Sequence, residues 1–218
     1  MIQDVTSPDA APASGEAPAP RRRFGYAAVA VLLAGIVLGA AIGLVIPHFR
    51  TPADDSVEAG FLRDMSSHHA QAVEMAMIAH AGSDTPGIVT LAADIATTQQ
   101  AQIGYMQAWL RDWDLSPTSD QQPMAWMPDS AGSVVNGLMP GMATPEQLAS
   151  LRKATGKEQD IQFLTLMRAH HLGGIHMAQE AEKLSGNEDV DWLADSMVAA
   201  QQGEIQLIDD LLKQAQAG

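Results

Sequence analysis

The chain contains an internal repeat in which equivalent residues are always 102 positions apart. Its most similar part, FLRDMSSHHAQAVEMA at residues 61–76, returns as FLTLMRAHHLGGIHMA at residues 163–178. The same offset, without a gap, relates Leu91 to Leu193. A repeat of this length without insertions indicates two copies of one structural unit, which restricts the fold to an arrangement of two similar halves.

The first copy has the pattern of two helices joined by a short turn. Apolar residues recur at helical spacing from Val57 to about Ala81, and Gly82, Ser83 and Asp84 then break the pattern. Thr85 is the predicted N-cap of the second helix, with a proline next to it in the first turn, where its missing N–H costs little. This helix is expected to run to about Trp113.

The second copy predicts the same pair of helices, at about 157–184 and 188–216, around a turn at 185–187. Two antiparallel hairpins, at residues 57–114 and 157–218, can bury their apolar faces only against each other. The predicted fold is therefore all-α, a four-helix bundle whose halves are related by a pseudo-twofold axis.

Residues 115–156, between the hairpins, are predicted to be a Met- and Pro-rich crossover that ends in a short helix. Residues 115–143 combine four prolines and three glycines with large apolar residues, so an ordered but irregular path is expected. Thr144-Pro145-Glu146-Gln147 has the pattern of a capping box with a first-turn proline, and the short helix should end by Gly156.

The N-terminal region predicts a disordered cytoplasmic tail, residues 1–23, and then a transmembrane helix. Residues 1–20 are rich in Pro, Ala, Ser and Asp, a composition that cannot bury a core, and three arginines follow them. Residues 24–46 are an uninterrupted apolar run, long enough to cross a hydrocarbon core of about 30 Å. The arginines hold the N-terminus in the cytoplasm, so residues 47–56 are a tether to a domain on the outer side.

A cleavable signal peptide is the alternative interpretation of the apolar run. Its apolar core would be about 7–15 residues long and would end in a small-x-small cleavage site. Here the run is longer and ends in Val45, Ile46 and Pro47. The sequence therefore favours a single-pass protein of the cytoplasmic membrane, with its N-terminus inside and its C-terminal domain outside.

Charge and cysteine content exclude several functions. The formal net charge is −14, whereas a nucleic-acid partner would require a basic surface. The chain has no cysteine, which excludes a disulfide framework and a thiolate metal site. Histidine, methionine and carboxylate remain as the ligands for any metal ion. No nucleophile–base pair and no phosphate-binding loop is evident, so a metalloenzyme is the least favoured class.

Each copy of the repeat places a His-His pair within an apolar helical stripe, with methionines about one turn before it and two turns after it. Adjacent helical positions are about 100° apart, so one imidazole of each pair should face the bundle axis and the other a neighbouring helix. Imidazole with thioether and no thiolate suits copper best among the common metals, and another transition metal is the alternative. The predicted metal ligands are His68, His69, His170, His171, Met65, Met75, Met167 and Met177, with His176, which replaces Glu74 of the first copy, as a further ligand on one side.

Three further expectations concern the surroundings of the histidines. Gly173 and Gly174 predict close contact between the two His-His helices, since glycine in a helix interior costs about 1 kcal/mol relative to alanine. The paired glutamines of the partner helices are expected to bond to the imidazoles, although half of them fit a solvent-facing position equally well: Gln99, Gln100, Gln201 and Gln202. Instead of a metal site, the histidines fit a buried polar network that fixes helix pairing.

The crossover contains two Met-x-x-Met pairs, Met124 with Met127 and Met139 with Met142. They fit either side chains that anchor the crossover to the bundle, which the sequence favours, or a second site for a soft metal ion.

The pattern Met-x-x-His-His, then small residues and Met-Ala, then Leu-Ala, Gln-Gln and Ile, resembles the bacterial domain-of-unknown-function 305 (DUF305) family. The crossover sequence GLMPGMATPEQLASLRKATG is similar to that family's linker, and the resemblance covers about residues 56–216. It implies a ferritin-like four-helix bundle, a secreted or membrane-anchored location and, in some members, copper binding and copper tolerance. This chain departs from the family's usual Gln-Gly-Ala after His-His, with Ala-Gln-Ala in one copy and Leu-Gly-Gly in the other.

Two function hypotheses follow. The first is a membrane-anchored extracytoplasmic protein that binds copper for storage, buffering or delivery. The second is a bundle without a metal ion that serves as an accessory or interaction subunit of a membrane complex, with a protein partner.

Overall fold

The structure is a computed structural model that describes residues 23–128, 130 and 132–217, without the side chains of 23–24 and 44–50. The predicted tail, residues 1–23, lies outside the described residues except for Arg23, which begins α1. The secondary structure of the described residues is all-helical, as predicted. Their β-structure is limited to one isolated bridge between Val135 and Leu138. The helices are α1 (Arg23–Arg50), α2 (Val57–Gly82), α3 (Pro86–Asp112), α4 (Pro145–Lys153), α5 (Gly156–Leu184) and α6 (Glu188–Ala217).

Internal contacts divide the chain after Arg50 into two units. In the first unit, the stretch Gly25–Gly43 of α1 has a mean hydropathy of 2.3, and none of its residues is buried. A stretch of this length and composition can cross a membrane as an anchor, and it also fits a signal sequence.

The second unit is a bundle of two helical hairpins. Helices α2 and α3 form one hairpin, α5 and α6 form the other, and α2 packs on α5 between them. Ser56 caps α2 by accepting a hydrogen bond from the Ala59 N–H at 3.2 Å. The predicted capping box at the start of α4 is present, with Thr144 and Gln147 bonded to each other's backbone N–H.

Each end of the bundle is held by a carboxylate that joins the two hairpins. Glu58 accepts a hydrogen bond from the backbone N–H of Gly186 at 3.0 Å. Its repeat equivalent, Asp160, accepts one from the Thr85 hydroxyl at 2.7 Å. Thr85 does occupy the N-cap position of α3, but its side chain makes no capping hydrogen bond. The predicted side-chain cap is therefore wrong, because the hydroxyl donates to the other hairpin instead.

The interior of the bundle contains two separate apolar clusters. The first cluster contains Met65 of α2 and Met177 of α5, together with Ile103, Met106 and Leu110 of α3. The second contains Met75 and Met167, together with apolar residues of α3 from Ile88 to Ala96. Along every bundle helix, the segment between the two clusters carries buried polar side chains, so the apolar core is interrupted at one level.

The crossover is held against α2 by polar and aromatic contacts. One carboxylate oxygen of Asp64 accepts hydrogen bonds from the Met124 N–H at 2.6 Å and from the Trp126 indole at 2.9 Å. The Trp126 ring packs edge-on against Phe61, with centroids 5.7 Å apart. The Trp126 side chain also covers Gly60 so closely that a Cβ there would lie 2.6 Å from the Trp126 Cβ and 2.7 Å from its ring. Of the four crossover methionines, three are buried in the first cluster and Met142 packs beside them.

Candidate metal centre

A layer of polar side chains crosses the bundle between the two apolar clusters. Each of the four bundle helices contributes two side chains to it, and all but one of the eight residues are buried. We call this set the polar layer: His68 and His69 of α2, Gln99 and Gln102 of α3, His170 and His171 of α5, and Gln201 and Glu204 of α6. The Glu204 side chain is 19% exposed, so it connects the layer to the surface.

His68 and His170, equivalent positions of the repeat, meet at the contact between α2 and α5. Their ring centroids are 3.8 Å apart and the ring planes are tilted by 35°. His69 and His171 turn instead toward α3 and α6, where they bond to Gln102 and Glu204. This division between the axis and a neighbouring helix is the one expected from the 100° offset between adjacent helical positions.

Three of the four imidazoles are fixed through Nε2. His68 Nε2–H donates to the Pro140 carbonyl at 2.9 Å, and His69 Nε2–H donates to Gln102 Oε1 at 2.8 Å. His171 Nε2–H donates to the Glu204 carboxylate at 2.6 Å. Because these oxygen atoms accept the hydrogen on Nε2, the lone pair lies on Nδ1 in the neutral form of each ring.

The Nδ1 atoms of all four histidines are buried without a hydrogen-bond partner among the described residues, and His170 Nε2 is in the same state. Buried polar atoms in proteins are nearly always paired, so each exception needs an explanation. Histidines that bind metals characteristically donate their other ring N–H to a carboxylate or a backbone carbonyl, as His171 and His68 do here. The free Nδ1 atoms are therefore in the state that a metal ligand requires.

Burial keeps the rings of His68, His69 and His170 neutral at pH 7. Desolvation, followed by the charge of neighbouring histidines, lowers the pKa of His69 to about 3. Desolvation also lowers the pKa of His68 to about 4, although its bond to Pro140 acts in the opposite direction. The pKa of His170 falls well below the usual value for the same main reason and through the charges of the other three imidazoles. Neutral imidazole is the form that binds a metal ion.

The four predicted methionine ligands are fully buried on the two sides of the polar layer. Met65 and Met177 lie in the first cluster, and Met75 and Met167 lie in the second. Thioether side chains of this kind pack well in an apolar core and also bind soft metal ions. Each apolar cluster thus contains one of the predicted methionine ligands from α2 and one from α5.

The helix glycines of α5 serve a different purpose from the one expected. A Cβ at Gly173 would collide with the carbonyl of Pro140 in the crossover, and one at Gly174 would lie 2.6 Å from the Gln201 side chain. The predicted role of these glycines in close contact between α2 and α5 is therefore wrong. They make room for the crossover, whose carbonyl accepts from His68, and for a glutamine of the polar layer.

Other predicted residues lie outside the polar layer. His176 is exposed, and Glu74 of the first copy is half-buried in an ion pair with Arg152. Gln100 and Gln202 are exposed, whereas Gln99 and Gln201 are buried in the layer. The expected hydrogen bond to an imidazole is not made by Gln99, whose amide has no partner among the described residues.

Sequence reasoning missed the direct histidine partners Gln102, Glu204 and Pro140. A signal for the first two was available, because both lie 33 residues after the histidine they contact and are equivalents in the repeat. Pro140 had no such signal, since its position depends on an irregular segment.

Within the described residues, no three His, Asp or Glu side chains are grouped in a way that could hold a metal ion. A metal centre made of two imidazoles and thioether sulfur atoms does not need such a group of three, because methionine is not one of those residue types. The donor set that fits the polar layer is therefore imidazole with thioether, which among common metals suits copper.

Comparison with known proteins gives a family. Residues 58–212 match the sequence profile described as Domain of unknown function (DUF305). A DUF305 protein from Streptomyces coelicolor, described as secreted, is 42% identical, with a TM-score of 0.69 over 75% of this chain and 96% of its own. A DUF305 fragment from Deinococcus radiodurans is 29% identical, with a TM-score of 0.61 over 72% and 96%.

The fold is also similar to that of CopM, which has been crystallised in Cu(II)-bound and Cu(I)-bound forms. The Cu(II)-bound form is 22% identical, with a TM-score of 0.55 over 73% of this chain and 97% of CopM. No curated protein matches the chain significantly.

Proposed function

This chain belongs to the DUF305 family, and we propose that it is a membrane-anchored extracytoplasmic protein that binds copper and serves copper homeostasis. The observation that carries the proposal is the group of buried imidazoles whose Nδ1 atoms have no partner among the described residues. Leaving such atoms unpaired costs about 1–3 kcal/mol each, so a ligand that they bind would remove a large penalty.

The donor atoms support copper over harder cations. The polar layer offers neutral imidazoles, and the apolar clusters on either side offer thioether sulfur from fully buried methionines. Calcium and magnesium require several oxygen ligands, and the layer has one carboxylate, that of Glu204. Imidazole and thioether bind copper in both oxidation states, with the thioether favouring Cu(I). The CopM structures of the same fold, which hold copper, agree with this choice.

In this proposal His68 and His170 are the central ligands, because they face each other across the two halves of the bundle. His69 and His171 lie on the outer sides, and Met65, Met75, Met167 and Met177 supply sulfur from above and below. The exposed His176 is a ligand only for a second ion at the surface. Pro140 and Glu204 fix the rings of His68 and His171 so that Nδ1 is the free nitrogen.

The proposed location follows from α1. Its apolar stretch, Gly25–Gly43, is compatible with an anchor and with a signal sequence, and the arginines before it favour an inside N-terminus. The description of the Streptomyces coelicolor relative as secreted agrees with a domain outside the cytoplasm. In either case the bundle lies in a compartment where it meets extracytoplasmic copper.

A copper titration of the full-length protein in detergent tests the proposal. Cu(I) is added under a reductant in competition with a chromophoric chelator, and binding is compared between wild type and the double variant H68A/H170A. H80A is the matched control, since His80 is exposed and bonds to the Val89 carbonyl at 3.1 Å, outside the polar layer. We expect the double variant to lose the tight site while H80A keeps it. Equal binding by wild type and a folded double variant would contradict the proposal.

A second candidate function is a purely structural polar layer within an accessory subunit. The observation that favours it is the set of hydrogen bonds from His68, His69 and His171 to three other elements of the fold. Such a network fixes the register of helices at some cost in stability. It predicts no copper binding by wild type and a large loss of folding free energy in the double variant.

A further inference from the structure

The two halves of the polar layer differ in charge at one equivalent pair of positions. His69 bonds to the neutral amide of Gln102 at 2.8 Å, whereas His171 bonds to the carboxylate of Glu204 at 2.6 Å. Gln102 and Glu204 are equivalent in the repeat and accept from the same ring atom. The protein therefore contains an internal comparison of amide and carboxylate in one geometry.

Glu204 brings a single negative charge to the layer. Among the described residues, it is the carboxylate bonded to a histidine of the layer, while His68 and His69 bond to neutral oxygen atoms. Imidazole and thioether are neutral as metal ligands, so they do not balance the charge of a bound cation. The layer lies between two apolar clusters, where an uncompensated charge is strongly unfavourable.

We infer that Glu204 supplies the counter-charge for the bound ion and makes the site selective for a monovalent soft cation, which for copper is Cu(I). A monovalent cation together with this carboxylate leaves the layer electrically neutral, whereas a divalent cation leaves one positive charge in an apolar environment. The thioether ligands act in the same direction, because they favour Cu(I). This inference rests on the proposed function and names the ion for its site.

The repeat also provides a matched set of variants. E204Q removes the charge and keeps a hydrogen-bond acceptor of the kind that already serves His69. Q102E adds a second carboxylate at the equivalent position, and the double variant Q102E/E204Q moves the charge from one half to the other. If Glu204 had only a structural role, these substitutions would not change the preference of the site between ions of different charge.

The experiment measures the affinity of the full-length protein for Ag(I), a redox-inert monovalent probe, and for Zn(II), a divalent one. We expect E204Q to lower Ag(I) affinity by about 10–100-fold, the usual effect of losing a group that supports a metal-bound histidine. Q102E should shift the preference toward Zn(II) by about tenfold or more, the ratio that corresponds to 1.4 kcal/mol. The charge-swapped double variant should keep the wild-type preference to within about threefold.

The outcomes separate this inference from the proposed function. Unchanged Ag(I) affinity in E204Q, or an unchanged ion preference in Q102E, would overturn the inference and leave copper binding intact. Ag(I) binding that survives H68A/H170A, or no binding by wild type, would overturn the proposed site and the inference with it. Thermal unfolding of each variant without metal identifies any that has lost its fold, and the charge-swapped variant then decides the test.

Discussion

His68 and His170 face each other with ring centroids 3.8 Å apart, although they lie on different hairpins. Contact between equivalent residues of a repeat places the pseudo-twofold axis between them. The same axis explains why Met65 shares a cluster with Met177 while Met167 shares one with Met75. The most polar part of the core therefore lies on the symmetry axis, with equivalent apolar residues on both sides of it.

The hydrogen bonds of the polar layer predict the tautomers of two histidines. His68 and His69 donate from Nε2 to oxygen, so at pH 7 both should be neutral Nε2–H tautomers with an unprotonated Nδ1. Two-dimensional ¹H–¹⁵N spectra of the imidazole rings of the metal-free protein measure this directly. Addition of Ag(I) should then shift the Nδ1 resonances and leave those of Nε2–H in place. Protonated Nδ1 in either ring would contradict the assigned hydrogen bonds.

The buried histidines also predict that the metal-free protein loses stability in mild acid. The pKa of His68 is lowered to about 4 and that of His69 to about 3, mainly by burial, from an ordinary value of 6.5. Below pH 6.5 the unfolded chain binds protons that the folded protein does not, so stability falls as pH decreases toward the folded pKa. Between pH 7 and pH 5 each of these two rings should cost about 2 kcal/mol of unfolding free energy.

Urea unfolding of the metal-free protein at pH 7, 6 and 5 measures this dependence. The variant H68Q should reduce the slope by about one histidine's share. Gln100→Ala, which removes an exposed side chain that does not titrate, should leave it unchanged. Carboxylates such as Asp209, whose pKa is lowered by Arg168, lose their contribution mainly below pH 5 and outside this window. A free energy of unfolding that is constant from pH 7 to pH 5 would rule out buried neutral imidazoles.

The crossover predicts an unusual response to alanine in α5. Gly173→Ala should destabilise the protein by about 1–3 kcal/mol, because its Cβ would collide with the backbone carbonyl of Pro140, which cannot move without the crossover. Gly104 of α3 is the matched control, since a Cβ there meets nothing within 4 Å. Gly104→Ala should stabilise by up to about 1 kcal/mol through helix propensity alone. Thermal unfolding of both variants checks the prediction, and equal shifts would contradict it.

The sequence was sufficient for features that repeat at a fixed interval. The 102-residue offset predicted two hairpins, and the offset between adjacent helical positions predicted that only one histidine of each pair faces the axis. The role of Gly173 could not be predicted, because its neighbour Pro140 belongs to an irregular segment whose path has no periodicity. The failed cap at Thr85 has a similar cause, since Asp160 of the other hairpin competes for its hydroxyl.

Charge differences between the halves were only partly visible in the sequence. Glu74 and His176 stood out because they lie next to the histidine motif, but neither joins the polar layer. The difference that reaches an imidazole, Gln102 against Glu204, lies on the partner helices. Helix periodicity gives the face of each helix separately, whereas the pairing of side chains depends on how two helices are rotated against each other.

Gln71 is the side chain that joins the end of the irregular crossover to α2, and its removal should loosen that segment. Its amide accepts from the Ala143 N–H at 2.6 Å and donates to the Ala143 carbonyl at 3.0 Å, and both residues are buried. Gln71→Ala leaves both backbone groups without a partner and should lower the free energy of unfolding by about 2–4 kcal/mol.

Gln100→Ala, on the exposed side of α3, is the control and should change the free energy of unfolding by less than about 0.5 kcal/mol. Urea unfolding measures both changes, and hydrogen exchange at the Ala143 amide should accelerate only in the first variant, because that amide then has no acceptor. Protection of Ala143 equal to wild type in Gln71→Ala would mean that other contacts hold the crossover in place.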